Sequence, residues 1–455
     1  MNRIHLVIFG TLGFIIVIAL GVEYLAYLPE AKQMQIVDLK DGDTYDLTAE
    51  VVKKKIGNRE IRMLAYNGSI PGPLIRAPKG TEITLRFTNK IDVPTTIHSH
   101  GVRLANEFDG VPDVTQKEIK PGDSFTYKIK FPDEGVYWYH PHIREDYTQE
   151  LGMYGNYVVA PDNPNYYSPV DRAEYLFLDD IYLENGQTPF DKAIATHALM
   201  GRFGNVMLVN GEIDYRLQVN KNDVVRLFFT NSANTRVFNI RIPGAEMKLV
   251  GGDNGKYERE TFSDTILLGP SERAAVDVYF SDAGEYRLEH ATPDKTYTLG
   301  TITSDDVEKE TSFVKEFQTL RENKDTIASI DPFRDDFTRA PDKSITLGIK
   351  MKQMMGAGSG MHMMHGGSAM SDSMMNMGDV EKIEWEDDMD MMNANSTKDT
   401  LVWQIKDNAT GNINEDIDWR FAVGDKVKVK IFNDPKSLHP MQHPIHFHGQ
   451  RFLVL

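Results

Sequence analysis

From about residue 41 the chain alternates apolar and polar positions over short stretches, as in "TEITLRFTN", "SFTYKIKF" and "VVRLFFTN". β-Branched and aromatic residues fill these stretches, and Gly, Pro, Asn and Asp separate them. A period of two sends successive side chains to opposite faces, so each stretch predicts a strand with one buried face. The body of the protein is therefore expected to be all β. The start of the chain departs from this pattern: residues 4–22 are almost wholly apolar behind Arg3. That run has no polar face, approaches the roughly 20 residues that span a bilayer, and is not followed by a convincing A-x-A cleavage pattern. It predicts an N-terminal hydrophobic helix, with residues 1–28 acting as a signal anchor or signal peptide. Arg3 on the short side favours the cytoplasm for that end and places the bulk of the chain outside.

Sliding the chain against itself exposes a repeat. Residues 76–101 ("RAPKGTEITLRFTNKIDVPTTIHSHG"), 217–242 ("LQVNKNDVVRLFFTNSANTRVFNIRI") and 421–449 ("FAVGDKVKVKIFNDPKSLHPMQHPIHFHG") share one order. Each runs from a polar turn through an alternating strand ending in Asn, then a loop, then a second strand. A second element, "FPDEGVYWYHPH" at 131–142, is echoed by "FSDAGEYRLEHA" at 280–291 and has no third copy. Three Greek-key β-sandwich domains follow, at 40–162, 163–305 and 340–455, the third incomplete. Leu455 is expected to end an apolar edge strand, "RFLVL", and the repeat anticipates a third copy of the "F-x-D-x-G-x-Y" element beyond it. Residues 351–392, rich in Met, Gly, Ser and Asp, break the β pattern and read as a low-complexity insertion in the third domain.

A formal net charge of -17 disfavours nucleic acid or an anionic membrane surface as a partner and favours cations. With no cysteine in 455 residues, disulfides and thiolate zinc sites are excluded, so a metal would be held by His, Asp, Glu or Met. Against that background the histidines stand out. H-x-H occurs at His98/His100, His140/His142 and His446/His448, whereas 13 histidines in this length supply about 0.4 such pairs by chance. On a strand, i and i+2 face the same side about 6.6 Å apart, which suits two imidazoles reaching neighbouring metal ions. The middle repeat carries Asn239 and Arg241 where the others carry histidines, so a metal site would be shared by the first and third domains. His290 lies one position out of register with His140, has no partner, and reads as a satisfied surface or core histidine.

"IHSHG", "WYHPH" and "HPIHFHG" resemble three of the four copper-ligand motifs of the multicopper oxidases. "YNGSIPGPLIRAPKGTEITLRFTN", "FDGVPDVTQKEIKPGDSFTYKIKF" and "ELGMYGNYVV" are similar to first-domain sequence of that family. The resemblance implies three cupredoxin-like domains and a trinuclear copper cluster between the first and third. It makes His98 and His446 type 2 copper ligands, and His100, His140, His142 and His448 ligands of the type 3 pair. His443 matches a type 1 copper ligand. His439, also followed by proline, has the wrong spacing to the H-x-H. Asp109 matches an acid that supplies protons to bound oxygen; taken alone, "FDGVP" also reads as a turn.

The reaction implied is one-electron oxidation of Cu(I) or a phenolic or other organic donor, coupled to reduction of dioxygen to water outside the cytoplasm. The fourth motif, with its cysteine, is absent, so the type 1 site is incomplete. In the insertion, Met354, Met355, Met361, His362, Met363, Met364 and His365 are candidates for binding Cu(I), which soft thioethers prefer; the alternative is an inert linker. A non-catalytic copper-binding or structural envelope protein is the other reading. A copper nitrite reductase fits less well, since its usual subunit has two domains. The sequence leaves the oligomeric state and the reductant open.

Overall fold

The structure is a computed structural model that describes residues 25–190, 201–307, 312–351, 383–387, 401–437 and 442–455. The apolar run at 4–22 and the candidates Met354, Met355, Met361, His362, Met363, Met364 and His365 lie outside the described residues. Among the described residues no helix is long and apolar enough to cross a membrane.

The expected all-β body is observed. The first unit is a sandwich of two sheets. One runs Ile36–Asp38, Leu74–Pro78, Gly155–Ala160, Gly135–His140, His98–His100; the other runs Arg59–Tyr66, Thr44–Ile56, Glu82–Asn89, Ser124–Lys130. The period-two pattern appears directly in burial: Ile83, Leu85 and Phe87 are buried, Glu82 before them and Arg86 among them are exposed, and Thr84 is partly so. These residues join Leu47, Tyr66, Tyr127, Tyr139 and Tyr157 in one core. The middle unit repeats the plan with a six-stranded and a five-stranded sheet over residues 172–305. The Asn that ends the repeated strand has a structural cause. Asn89 donates to the carbonyls of Val93 and Ile119 and accepts from the Ile91 N–H. Asn231 does the same with Arg236, Leu268 and Ala233. Each buried amide thereby satisfies the backbone of the turn that follows its strand.

The described part of the third unit is a three-stranded sheet, with Lys343–Met351 between Leu401–Asp407 and Val429–Asn433. Here one expectation is corrected. Residues 451–455 are not an edge strand but exposed irregular chain, and His446 and His448 also lie outside any strand. The equivalent segment of the first unit, His98–His100, is a strand because Gly135–His140 pairs with it; among the described residues the third unit offers no such neighbour, and a lone segment has no ladder to join.

The first and middle units meet over a buried acidic cluster. Glu150 accepts hydrogen bonds from the Tyr182 N–H and the Asn234 side chain, and Asp180 pairs with the fully buried Arg236 at 2.6 Å. Burial pushes the Glu150 carboxyl up to about 7 and raises Asp179 and Asp180 as well. An acid whose folded pKa is raised stabilises the fold fully below its unfolded value, and that contribution is lost as pH rises through the folded value. Stability should therefore fall between about pH 4.5 and 7, Glu150 contributing up to about 3 kcal/mol of the fall. Thermal unfolding followed from pH 4 to 8 should show a flatter profile in Glu150→Gln than in the wild type; parallel profiles would remove Glu150 as a cause.

Candidate metal centre

The strand His98–His100 pairs antiparallel with Gly135–His140, which sets His98 opposite His140 and His100 opposite Trp138. Both strand histidines and His140 are buried, and the indole of Trp138 stacks on His140 with ring centres 4.0 Å apart. Pro141 ends the strand and His142 follows, just before the short helix Glu145–Thr148. From the other end of the chain, residues 442–455 bring His446 and His448 to the same place. The His446 ring stacks on His100 at 3.9 Å between centres, and His448 lies 4.4 Å from His98. All six histidines of the H-x-H pairs thus converge, although 304 residues separate His142 from His446.

Two sets of three nitrogen atoms lie close enough to share an ion. One comes from His98, His100 and His446 and the other from His98, His142 and His448, each within 4.8 Å. His98 belongs to both sets and His140 to neither; its Nε2 is 3.4 Å from Nδ1 of His100.

The tautomers follow from the partners. His98 Nδ1 donates to the Asp109 carbonyl at 2.8 Å and lies 3.2 Å from its Oδ1. His140 Nδ1 donates to the Pro141 carbonyl and His448 Nδ1 to Asp109 Oδ2 at 2.8 Å, while His142 Nδ1 lies 2.5 Å from Glu145 Oε1. With the proton fixed on Nδ1, each ring keeps its lone pair on Nε2. The Nε2 atoms of His98 and His142 are buried and have no hydrogen-bond partner among the described residues. Buried acceptors left open in this way, each backed by a carbonyl or carboxylate, are the arrangement a metal ion completes. Imidazole suits copper well, so the residues present fit that metal. Burial also holds His98, His100 and His140 below the ordinary imidazole range, and the more exposed His446 is lowered by partial burial and by the neighbouring histidines. The rings are thereby kept neutral, the form that coordinates.

Asp109 holds two of these rings at once. Burial pushes its carboxyl up, but hydrogen bonds from His448 and His98 outweigh that and hold it well below the usual range. Asp109→Asn should weaken copper binding about 10- to 100-fold, as loss of an outer partner of a ligating histidine does. Titration of copper into the folded protein reads the change, and an unaltered affinity would show that Asp109 does not orient His448.

His443 stands apart from both sets; it is half-buried, with its ring 5.5 Å from Trp403 and edge-on to it. In the middle unit, strand Phe238–Arg241 pairs with Gly284–Ala291 so that Arg241 lies opposite Glu289. Glu289 sits at the step of the repeated element that His140 occupies in the first unit. An ion pair, Arg241 Nε to Glu289 Oε2 at 2.8 Å, stands there in place of two imidazoles. His290 is buried, accepts the Asn239 N–H at 3.0 Å and stacks on Tyr297. Sequence reasoning missed Glu145, for which the three-residue spacing from His142 was a usable signal, and Trp138, for which there was none.

Models of the multicopper oxidase family match residues 48–164 and 173–306. The chain is 32% identical over 271 residues to the multicopper oxidase MmcO of Mycobacterium tuberculosis, covering 53% of this chain and 52% of that protein. It is 26% identical over 322 residues to copper resistance protein A of Escherichia coli, covering 60% and 51%. The chain thus spans about half the length of these relatives. Among solved structures, a multi-copper oxidase from Pseudomonas Thermotolerans superposes with a TM-score of 0.56 at 28% identity, covering 69% of this chain and 72% of that one. The match to the first two sandwiches agrees with a site built from paired histidines backed by carboxylates and carbonyls, and the chain belongs to the multicopper oxidase family, whose members are copper-dependent oxidoreductases.

Proposed function

We propose that the protein takes part in copper handling as an oxidase that couples one-electron oxidation of Cu(I), or of a small organic donor, to reduction of dioxygen to water. The observation that carries this reading is the convergence of His98, His100, His140, His142, His446 and His448 around two open, buried Nε2 atoms. Copper bound there would supply the redox chemistry. The chain supplies geometry and protons: carbonyls and carboxylates fix the rings, and the ionised Asp109 carboxylate lies where a proton can be accepted and passed on. In this reading His98 and His446 serve type 2 copper, His100, His140, His142 and His448 serve the type 3 pair, and His443 serves the type 1 site. The units fall at 40–162, 163–305 and 340–455. Residues 1–28 would carry the protein out of the cytoplasm and hold it at the membrane, which alkaline carbonate extraction tests; full release with the apolar run removed would identify a signal peptide instead.

Oxygen uptake separates the substrates. Deleting 351–392 should lower uptake with Cu(I) far more than uptake with a phenolic donor, because only the soft cation uses thioethers. Equal losses would make the insertion a linker. No cysteine is present among these 455 residues, and that favours a second reading for this stretch taken alone: copper binding without turnover. Copper bound without oxygen uptake would support it.

A further inference from the structure

The middle unit has no imidazole pair of its own to offer, yet it places a buried cation against the histidine cluster of its neighbour. Arg273 begins the strand Arg273–Tyr279 and is 5% exposed. Its guanidinium crosses into the first unit, where Nε donates to the Val136 carbonyl at 3.2 Å. That carbonyl belongs to the strand that carries Trp138 and His140. Within the middle unit Nη1 donates to the Ser271 carbonyl at 2.6 Å and Nη2 to the Asp253 carbonyl at 3.1 Å. The Asp253 carboxylate lies 3.3 Å from Nη1. Gly101, the residue after His100, sits at φ +81°, and a Cβ added there would stand 2.9 Å from Nη2. Absence of a side chain at Gly101 is therefore what lets the cation approach. The charge lies beside the site: Gly101 directly follows His100, and Val136, which accepts from Arg273, lies two residues before Trp138, the residue paired opposite His100.

We propose that Arg273 is a positioning residue of the copper site, a fixed positive charge supplied by the ligand-free unit that biases copper held near His100 and His446 toward Cu(I). A buried, oriented cation beside a metal disfavours the state with the extra positive charge, and its burial weakens the screening that a surface charge would meet. Three carbonyls hold the guanidinium, so the charge cannot swing away as a surface lysine would. The inference rests on copper occupying the histidine cluster.

The test is a redox titration of the copper-loaded protein followed by electron paramagnetic resonance, with thermal stability measured in parallel. Arg273→Met should shift the Cu(II)/Cu(I) ratio about tenfold toward Cu(II), a fall of about 59 mV in midpoint potential for a one-electron couple. Arg273→Lys keeps the charge without the planar fork; it should lose stability and hold most of the wild-type potential. Asp253→Asn removes the carboxylate facing the guanidinium while keeping an acceptor for the Arg273 N–H, and should move the potential the other way. This variant also carries the test should Arg273→Met fail to fold. Potentials that stay put in the folded variants while stability falls would overturn the proposal and make Arg273 a structural tie only. A wild-type protein that binds no copper at the cluster would instead overturn the copper-site reading on which it rests.

Discussion

His98→Ala should strip copper from the whole histidine cluster rather than from one corner of it. His98 contributes to both sets of convergent nitrogens, its Nε2 is an open buried acceptor, and its ring lies within 5.5 Å of His100, His140, His142, His446 and His448. Losing an outer partner of a ligand costs 10- to 100-fold in affinity, so losing a shared ligand should cost at least about 100-fold. Copper content after dialysis, together with the paramagnetic resonance spectrum, reads this out. His290→Ala is the control, since that ring is buried among Tyr297, Phe238 and Trp385 and belongs to neither set. Retention of full copper by His98→Ala, with a spectrum like that of the wild type, would sink the site as described. Equal copper loss in both variants would point to damaged folding instead.

The spacing of the histidines made much of this site legible in the sequence, although only His98 and His100 share a strand. An H-x-H on a strand must present both rings to one face, and the first pair does so within His98–His100. The repeat supplied the rest of the argument: Asn239 and Arg241 in the middle copy pointed away from that unit before any geometry was known. What remained hidden depends on distance in space rather than in sequence. Arg273 reaches Val136 across 137 residues, and nothing in "PSERAAVD" marks that arginine as a neighbour of His100. Trp138 looked like any core aromatic until pairing set it opposite His100. The edge strand expected at "RFLVL" failed for the complementary reason: an apolar run reports a chain's preference, whereas a strand exists only where another strand accepts its hydrogen bonds.

Gly110→Ala should unfold the corner that holds Asp109 against His98, whereas Gly122→Ala should be tolerated, although both glycines have left-handed backbone at φ +78° and +90°. At Gly122 nothing lies within 4 Å of an added Cβ. Only the conformational penalty of an L-residue in that region remains there, about 1–2 kcal/mol. At Gly110 the same Cβ would stand 2.0 Å from the Ile97 carbonyl oxygen, 2.5 Å from its carbon and 2.9 Å from the His98 nitrogen. Those atoms are backbone and cannot turn aside as a side chain can. They are also held: the Ile97 N–H donates to the Tyr127 hydroxyl at 3.0 Å, and His98 begins the strand paired with Gly135–His140. Relief must come from moving the 109–110 turn, and that movement breaks the bonds from Asp109 to His98 and His448. A cost above about 4 kcal/mol is expected, in the range reserved for strain or lost buried networks, and it should lower the melting temperature by about 10 °C or more. Copper affinity should fall with it in Gly110→Ala and hold in Gly122→Ala. Closely matched melting temperatures for the two variants would show that the turn yields easily and that Asp109 is not fixed by its backbone.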